Sequence, residues 1–416
     1  MSTLKETRPD IRQKKGIAAD ITGFFKESAG LLNQNIREYG MYIALLVIIL
    51  YFTVMTKGLF ISSRNISNLI NQTGYVAVLA VGMTLILIIR HIDLSVGFVA
   101  GFLGAVAAIL MTQSAFPVWA AILTVIGIGI LIGLCYGFLV AQVGVPAFVA
   151  TLAGMLIFRG MLLQVTEGTG TIIIPNKSFN DIGNGFIPDL PLPESFAPGV
   201  HVLTLLVGVV SVLFMIYFQM KARKNMQRYN FKVISLPLFI IKMLFMSAVI
   251  GAIVWVLAGY NGLSWTVVVV AVVVLVYNFV MNKTTLGRYI YGIGGNPEAA
   301  ELSGVNVKMV TYIVFASMSM LAALSGILYT ARLQSATTTA GTAFELDAIA
   351  SAYVGGVSAK GGIGKVTGSI IGALVMSSLA NGMNLMGVGI SYQYAIRGAI
   401  LVLAVIFDIS TRKKRG

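Results

Sequence analysis

The sequence predicts an all-α, polytopic transmembrane bundle of about twelve spans, with ten or eleven as the alternative counts. Three observations carry this. Hydrophobic residues make up 57% of the 416-residue chain and charged residues only 11%, against about 25% charged in a soluble domain. Apolar runs long enough for a bilayer, which takes about 20 helical residues, recur throughout. The charges collect between those runs. Segments of this length exceed what barrel strands use, so only helices are meant.

The elements follow in order. Residues 1–40 mix both charges and are read as an N-terminal tail, with an amphipathic surface helix over 17–32 as one alternative and an irregular tail as the other. Apolar segments lie near 41–57, 69–90, 95–113, 117–141, 146–165, 200–219, 238–258, 263–281, 309–331, 343–357, 366–386 and 393–409. The segment at 343–357 is short and opens on Glu345 and Asp347, so it either crosses or forms a broken, re-entrant stretch. Its two acids are expected to pair with Arg332. Residues 41–410 form the transmembrane domain, and 411–416 a basic tail.

Loop charge sets the orientation. Residues 220–234 carry Lys221, Arg223, Lys224, Arg228 and Lys232 without an acid, and the tail carries Arg412, Lys413, Lys414 and Arg415. The stretch 282–308 holds Lys283, Arg288 and Lys308, whereas 166–199 holds Glu167, Asp181, Asp189 and Glu194 against Lys177. Basic loops face the cytoplasm. That places 220–234, 282–308 and both termini inside and 166–199 outside. The net charge of +14 is thus read as loop charge and not as a nucleic-acid surface. The lone Cys135 offers no intrachain disulfide, and the charged first 40 residues lack the leading apolar core of a cleavable signal.

Several chemistries find no support. A phosphate loop needs G-x-x-x-x-G-K-[ST]; the nearest stretch, GGIGKVTG (361–368), has Val366 where the Mg²⁺-binding hydroxyl belongs and Ala359 in place of the first glycine. Two histidines and one cysteine leave metal centres and nucleophile triads without groups. No series of intramembrane acids and histidines suggests a proton relay. The chain is expected to be no enzyme, to hold no metal or cofactor, and to move a solute with energy supplied from elsewhere.

Three motifs stand out. HIDLSVG (91–97) puts Asp93 and Ser95 between two apolar helices, where an acid is costly; they either cap the following helix or mark a bend in a path. In TTLGRYIYGIGGNPEAAELSGVNV (284–307) the glycines are expected to break a helix, Asn296 and Pro297 to start a short new one, and Ser303 and Gly304 to end it. Such a helix is either an ordinary loop element or a docking knob. FELDAIASAYVGGVSAKGGIGKVTGSIIGA (344–373) is glycine-rich, and 352–379 faintly echoes 85–110, each running through a break into a glycine-spaced helix. Paired breaks of this kind border substrate paths in transporters. Further polar candidates for a path are Asn71, Gln72, Asn381 and Asn384, each of which serves equally as a helix-to-helix hydrogen bond.

At these motifs the chain resembles the permease subunits of bacterial ABC importers for monosaccharides. The likeness runs over about 60–410, through RNISNLINQTGYVAVLAVGMTLILIIRHIDLSVG (64–97), VPAFVATLAGMLIFRGM (145–161), GRYIYGIGGNPEAAELSGVNV (287–307) and ELDAIASAYVGGVSAKGGIGKVTGSIIGAL (345–374). It implies a second permease copy, a cytoplasmic ATPase that holds ATP and Mg²⁺, an extracytoplasmic sugar-binding protein and a place in the bacterial inner membrane. It also implies that Gly295, Asn296, Pro297, Glu298, Ala299, Ala300, Ser303 and Gly304 form the coupling segment that seats on the ATPase. Two departures are plain. The stretch near 200–260 is absent from shorter members, which makes this chain similar to xylose and multiple-monosaccharide permeases, and His91 stands where the family commonly has glycine. The alternatives are a branched-chain amino acid permease of related architecture and an ion-coupled secondary carrier.

Overall fold

The computed structural model describes residues 36–413, except 169, 192–198 and 232. The proposed helix at 17–32, Glu194, Lys232 and the end of the basic tail therefore lie outside the described residues. The helices are α1 (Ile36–Met55), α2 (Ser63–Ile88), α3 (Val96–Thr112), α4 (Val118–Phe138), α5 (Ala147–Val165), α6 (Lys177–Asn184), α7 (Val202–Arg228) and α8 (Leu236–Ala258). They continue with α9 (Trp265–Lys283), α10 (Thr285–Gly295), α11 (Pro297–Leu302), α12 (Val307–Leu333), α13 (Phe344–Val354), α14 (Val366–Leu385) and α15 (Ile390–Lys413). Among the described residues nine helices are long and apolar enough to cross a membrane, and Gly40–Met55 and Val96–Thr112 are shorter apolar helices.

Helix ends coincide with side chains that supply the missing partners of the first turn. Ser264 accepts from Val267, Thr284 from Gly287, Asn296 from Ala299 and Asn306 from Met309. Each satisfies an amide that the helix itself leaves open.

The centre is built from α2, α12 and α14, whose apolar windows are 83%, 67% and 78% buried, while α7 and α8 are only 11% buried. α12 lies against α4 along Gly129, Gly133 and Gly137, where a Cβ would meet Ser319, Phe315 and Tyr312. Glycine at every fourth position removes side chains from one helix face and lets the backbones approach, which drives association in lipid. Apolar side chains such as Leu213, Phe214, Leu244 and Phe245 remain exposed on α7 and α8. In a bilayer those faces meet acyl chains, so their exposure carries no penalty. The α7–α8 hairpin is thus a peripheral addition.

One strand pair accompanies the helices. β1 (Thr171–Ile173) pairs antiparallel with β2 (Ser335–Thr337), Ile172 opposite Ala336. This ribbon marks one face of the protein; α11 marks the other. The long helices connect them so that 220–231 and 284–307 lie on the α11 face and 170–191 on the ribbon face. On the ribbon face Asp189 accepts N–H bonds from Leu190, Val202 and Leu203 at 2.7–2.8 Å and lies 3.5 Å from His201 Nδ1. Desolvation works to raise its pKa, but the three amides and His201 outweigh it and hold it below the usual carboxylate range.

The segment at 343–357 is broken. α13 has 11 residues, about 16 Å of helix against roughly 30 Å of hydrocarbon. The chain nonetheless travels from the ribbon face at β2 to the α11 face, where the Gly362 amide donates to the Ile88 carbonyl. The irregular stretches 338–343 and 355–361 make up the rest of that course. There Gly341 has φ +86°, and a Cβ on it would strike the Gly97 carbonyl; only glycine permits both the backbone conformation and the contact.

Arg332 does not meet the acids of α13. It donates to Asn184 Oδ1 at 2.7 Å and Asn68 Oδ1 at 3.1 Å. Asp347 is paired instead with Arg397 of α15, Nη1 to Oδ2 3.2 Å. The turn after β2 carries α13 away from the end of α12 and onto α14, α2 and α15, so proximity in sequence misleads here.

Candidate translocation path and docking face

The stretch 284–307 forms α10, α11 and the start of α12. The glycines do not break α10, which stays helical through Gly294 and Gly295. Gly294 is instead a point of close approach, because a Cβ there would collide with the Ile88 carbonyl and with Gly362. Asn296 caps α11 through Ala299, Pro297 occupies its first turn, and Ser303 Oγ donates to the Ala299 carbonyl at 2.7 Å. Gly304, at φ +84°, turns the chain into α12.

Not all eight coupling candidates face outward. Gly295, Asn296, Glu298, Ala299, Ser303 and Gly304 are exposed, and Pro297 is half-buried. Ala300 is buried and belongs to the main hydrophobic core, so it seats the helix. The most prominent side chain is one that sequence reasoning passed over. Leu302 is 91% exposed at the end of α11, beside Glu298 and Glu301.

This loop is tied to both broken segments. Arg90, at φ +65° in the break after α2, donates from Nε to the Gly294 carbonyl at 2.8 Å and from Nη2 to the Gly295 carbonyl. Tyr291 donates to the Gly364 carbonyl at 2.7 Å, and Gly362 bonds Ile88. The two echoing segments therefore meet each other and α10 at one place. Thr84 and Ser369 also share a hydrogen bond across α2 and α14.

Asp93 and Ser95 are both fully buried in the first break. Asp93 Oδ1 accepts the Ser95 N–H at 2.9 Å and its hydroxyl at 2.7 Å. Asp93 thus stabilises the turn that starts α3, while the Ser95 carbonyl takes the first helical bond from Val99. Oδ2 of Asp93, Oε2 of Glu345 and the Tyr136 hydroxyl have no hydrogen-bond partner among the described residues. Glu345 Oε2 points at Gly97, so two carboxyl groups flank the N-terminus of α3.

The four amides separate into two kinds. Asn71 Oδ1 accepts from Ser264, the cap of α9, while its Nδ2 has no partner among the described residues. Asn381 and Asn65 exchange amide bonds at 2.9 and 3.1 Å, and Asn384 Oδ1 accepts from Gln393 at 2.7 Å. These three join helices. Gln72 lines a cleft, together with Tyr75, Val76, Asp347, Met376, Ser377, Ala380 and Arg397. Arg397 had a signal in the sequence, as the one cation between Lys365 and Arg412, and an intramembrane charge needs a reason.

Residues 65–405 match the family described as branched-chain amino acid transport system / permease component. The chain is 38% identical over 384 residues to the xylose transport system permease protein XylH of Haemophilus influenzae, covering 92% of this chain and 99% of that protein. It is 36% identical to XylH of Escherichia coli K12 over 93% and 95% of the two chains. It is 33% identical to the ribose import permease protein RbsC of H. influenzae over 90% and 95%. No solved structure matches. With nine long apolar helices among its described residues, the protein is a multi-pass membrane protein, and it belongs to the permease-component family of these transport systems.

Proposed function

We propose that this chain is the permease subunit of an ABC-type monosaccharide importer of the bacterial inner membrane, and that it forms the path for xylose or a set of related sugars. The observation that carries the reading is the likeness to two xylose permeases at 36–38% identity over 92–93% of this chain. A binding protein delivers the sugar on the ribbon face, and two permease copies frame the path. A separate ATPase, with ATP and Mg²⁺, seats on α10–α11. This chain takes no part in hydrolysis.

The contacts of Arg90 support a mechanism. Displacement of α11 by the ATPase acts on the Gly294 and Gly295 carbonyls, hence on Arg90 and residues 89–95, and through Gly362 and Gly364 on residues 355–365. Nucleotide shifts the outward–inward equilibrium only by the difference with which it favours the two states.

The test is uptake by cells lacking their own pentose transport, with the chain expressed beside its ATPase and binding protein. Labelled xylose should enter only when all are present. Leucine uptake instead would favour the second reading, a branched-chain amino acid permease, which the description of the matching family keeps in view.

A further inference from the structure

The cleft between α2, α13, α14 and α15 brings together groups that a lipid-embedded bundle does not need for packing. Gln72 and Tyr75 come from α2, Asp347 from α13, Ser377 from α14 and Arg397 from α15. An amide, a phenol, a carboxylate, a hydroxyl and a guanidinium thus converge from four helices within the membrane-spanning body, where each polar group is costly. The ion pair at its side satisfies Asp347 but leaves Arg397 Nε without a partner among the described residues. The other amides proposed for a path are held mainly by neighbours: Asn381 and Asn384 bond across helices, and Asn71 Oδ1 accepts from Ser264, with only Asn71 Nδ2 left without a partner among the described residues.

We propose that this cleft is a hydroxyl-recognition site on the path, taking the edge of a neutral polyhydroxylated solute. Arg397 donates to a hydroxyl oxygen, Asp347 accepts from the adjacent hydroxyl, and Gln72 and Ser377 provide further donors and acceptors. The inference rests on the transporter reading above and adds a place to it. Asp347 and Arg397 neutralise one another at 3.2 Å, so neither offers an uncompensated charge to a carboxylate or an ammonium. That favours a sugar over an amino acid. The open space holds water-sized groups and not a whole ring. This suits a transit contact: it is made at one edge and is weak enough to release.

The experiment uses the permease with its ATPase and binding protein in proteoliposomes, with xylose as the probe. Gln72→Ala and Ser377→Ala lie outside the ion pair and are the informative variants. Each should lower xylose transport about fivefold, the effect of one lost hydrogen bond, with unchanged recovery of the assembled complex. In a Cys135→Ser background, Ser377→Cys should react with a small polar thiol reagent, and xylose should slow that reaction. Transport unchanged in both alanine variants together with an unreactive Cys at 377 would overturn the site and leave the cleft as packing. Wild-type complex that imports leucine but no sugar would overturn the monosaccharide reading, and the site with it.

Discussion

Arg90 and Gly294 are joined by a hydrogen bond of 2.8 Å from the guanidinium Nε to the carbonyl oxygen, and the second arm of the fork reaches Gly295. A break in one membrane helix is thereby held to the loop that carries α11. Arg90→Gln keeps a donor but loses the fork. A hydrogen bond to a charged group contributes about 1.5–3 kcal/mol. Uptake should fall at least about tenfold, while the ATPase still co-purifies. Loss of co-purification would instead mean that Arg90 only shapes the docking surface.

Leu302 should be an anchor for the ATPase. A leucine buried in a partner's pocket contributes about 1.5–3 kcal/mol. Leu302→Asp should weaken the complex by tenfold or more, read as the salt or detergent level at which the ATPase dissociates. The permease itself should be recovered in normal amount, because the side chain is 91% exposed. Ala300→Leu is the contrasting variant: Ala300 is buried, so overpacking should cost about 1–3 kcal/mol and reduce the amount of folded protein.

Gly294→Ala puts a methyl group against the Ile88 carbonyl and the Gly362 backbone. Neither neighbour is a flexible side-chain end. A thermal shift assay in detergent should show a clear loss of stability, with a cost of about 1–3 kcal/mol. Gly292→Ala, where a Cβ meets nothing within 4 Å, should be neutral.

Asp189 gives a pH prediction on the ribbon face. Its folded-state pKa lies below the usual carboxylate value, so its bonds stabilise the loop when it is ionised. That contribution is complete above the ordinary carboxylate pKa of about 3.9 and is lost as pH falls through the lower folded value. Protection of the Val202 and Leu203 amides, relative to their intrinsic exchange rates, should be constant near pH 6 and should fall at strongly acid pH. Asp189→Asn should remove the change.

Much of this was legible before the structure. The apolar runs marked the helices because bilayer thickness imposes a length that few other folds need. Asn296–Pro297 and Ser303–Gly304 bounded α11 through local chemistry alone. What stayed hidden depends on contacts distant in sequence. Arg332 was matched to Glu345 and Asp347 by nearness in the chain, but its partners are Asn68 and Asn184, 264 and 148 residues away. The glycines at 292–295 look like helix breakers until the Ile88 carbonyl is seen against Gly294. Of the polar candidates, Asn71, Asn381 and Asn384 could not be told from Gln72 by type; only their neighbours separate helix joiners from a cleft residue. The β1–β2 ribbon, three residues per strand, is too short for any alternation to register.

The most direct test of the account is ATP-dependent xylose uptake by proteoliposomes holding this chain, its ATPase and the loaded binding protein. The account predicts uptake that requires ATP, is insensitive to a protonophore and collapses with Arg90→Gln. Uptake that persists without the ATPase and is abolished by the protonophore would contradict it.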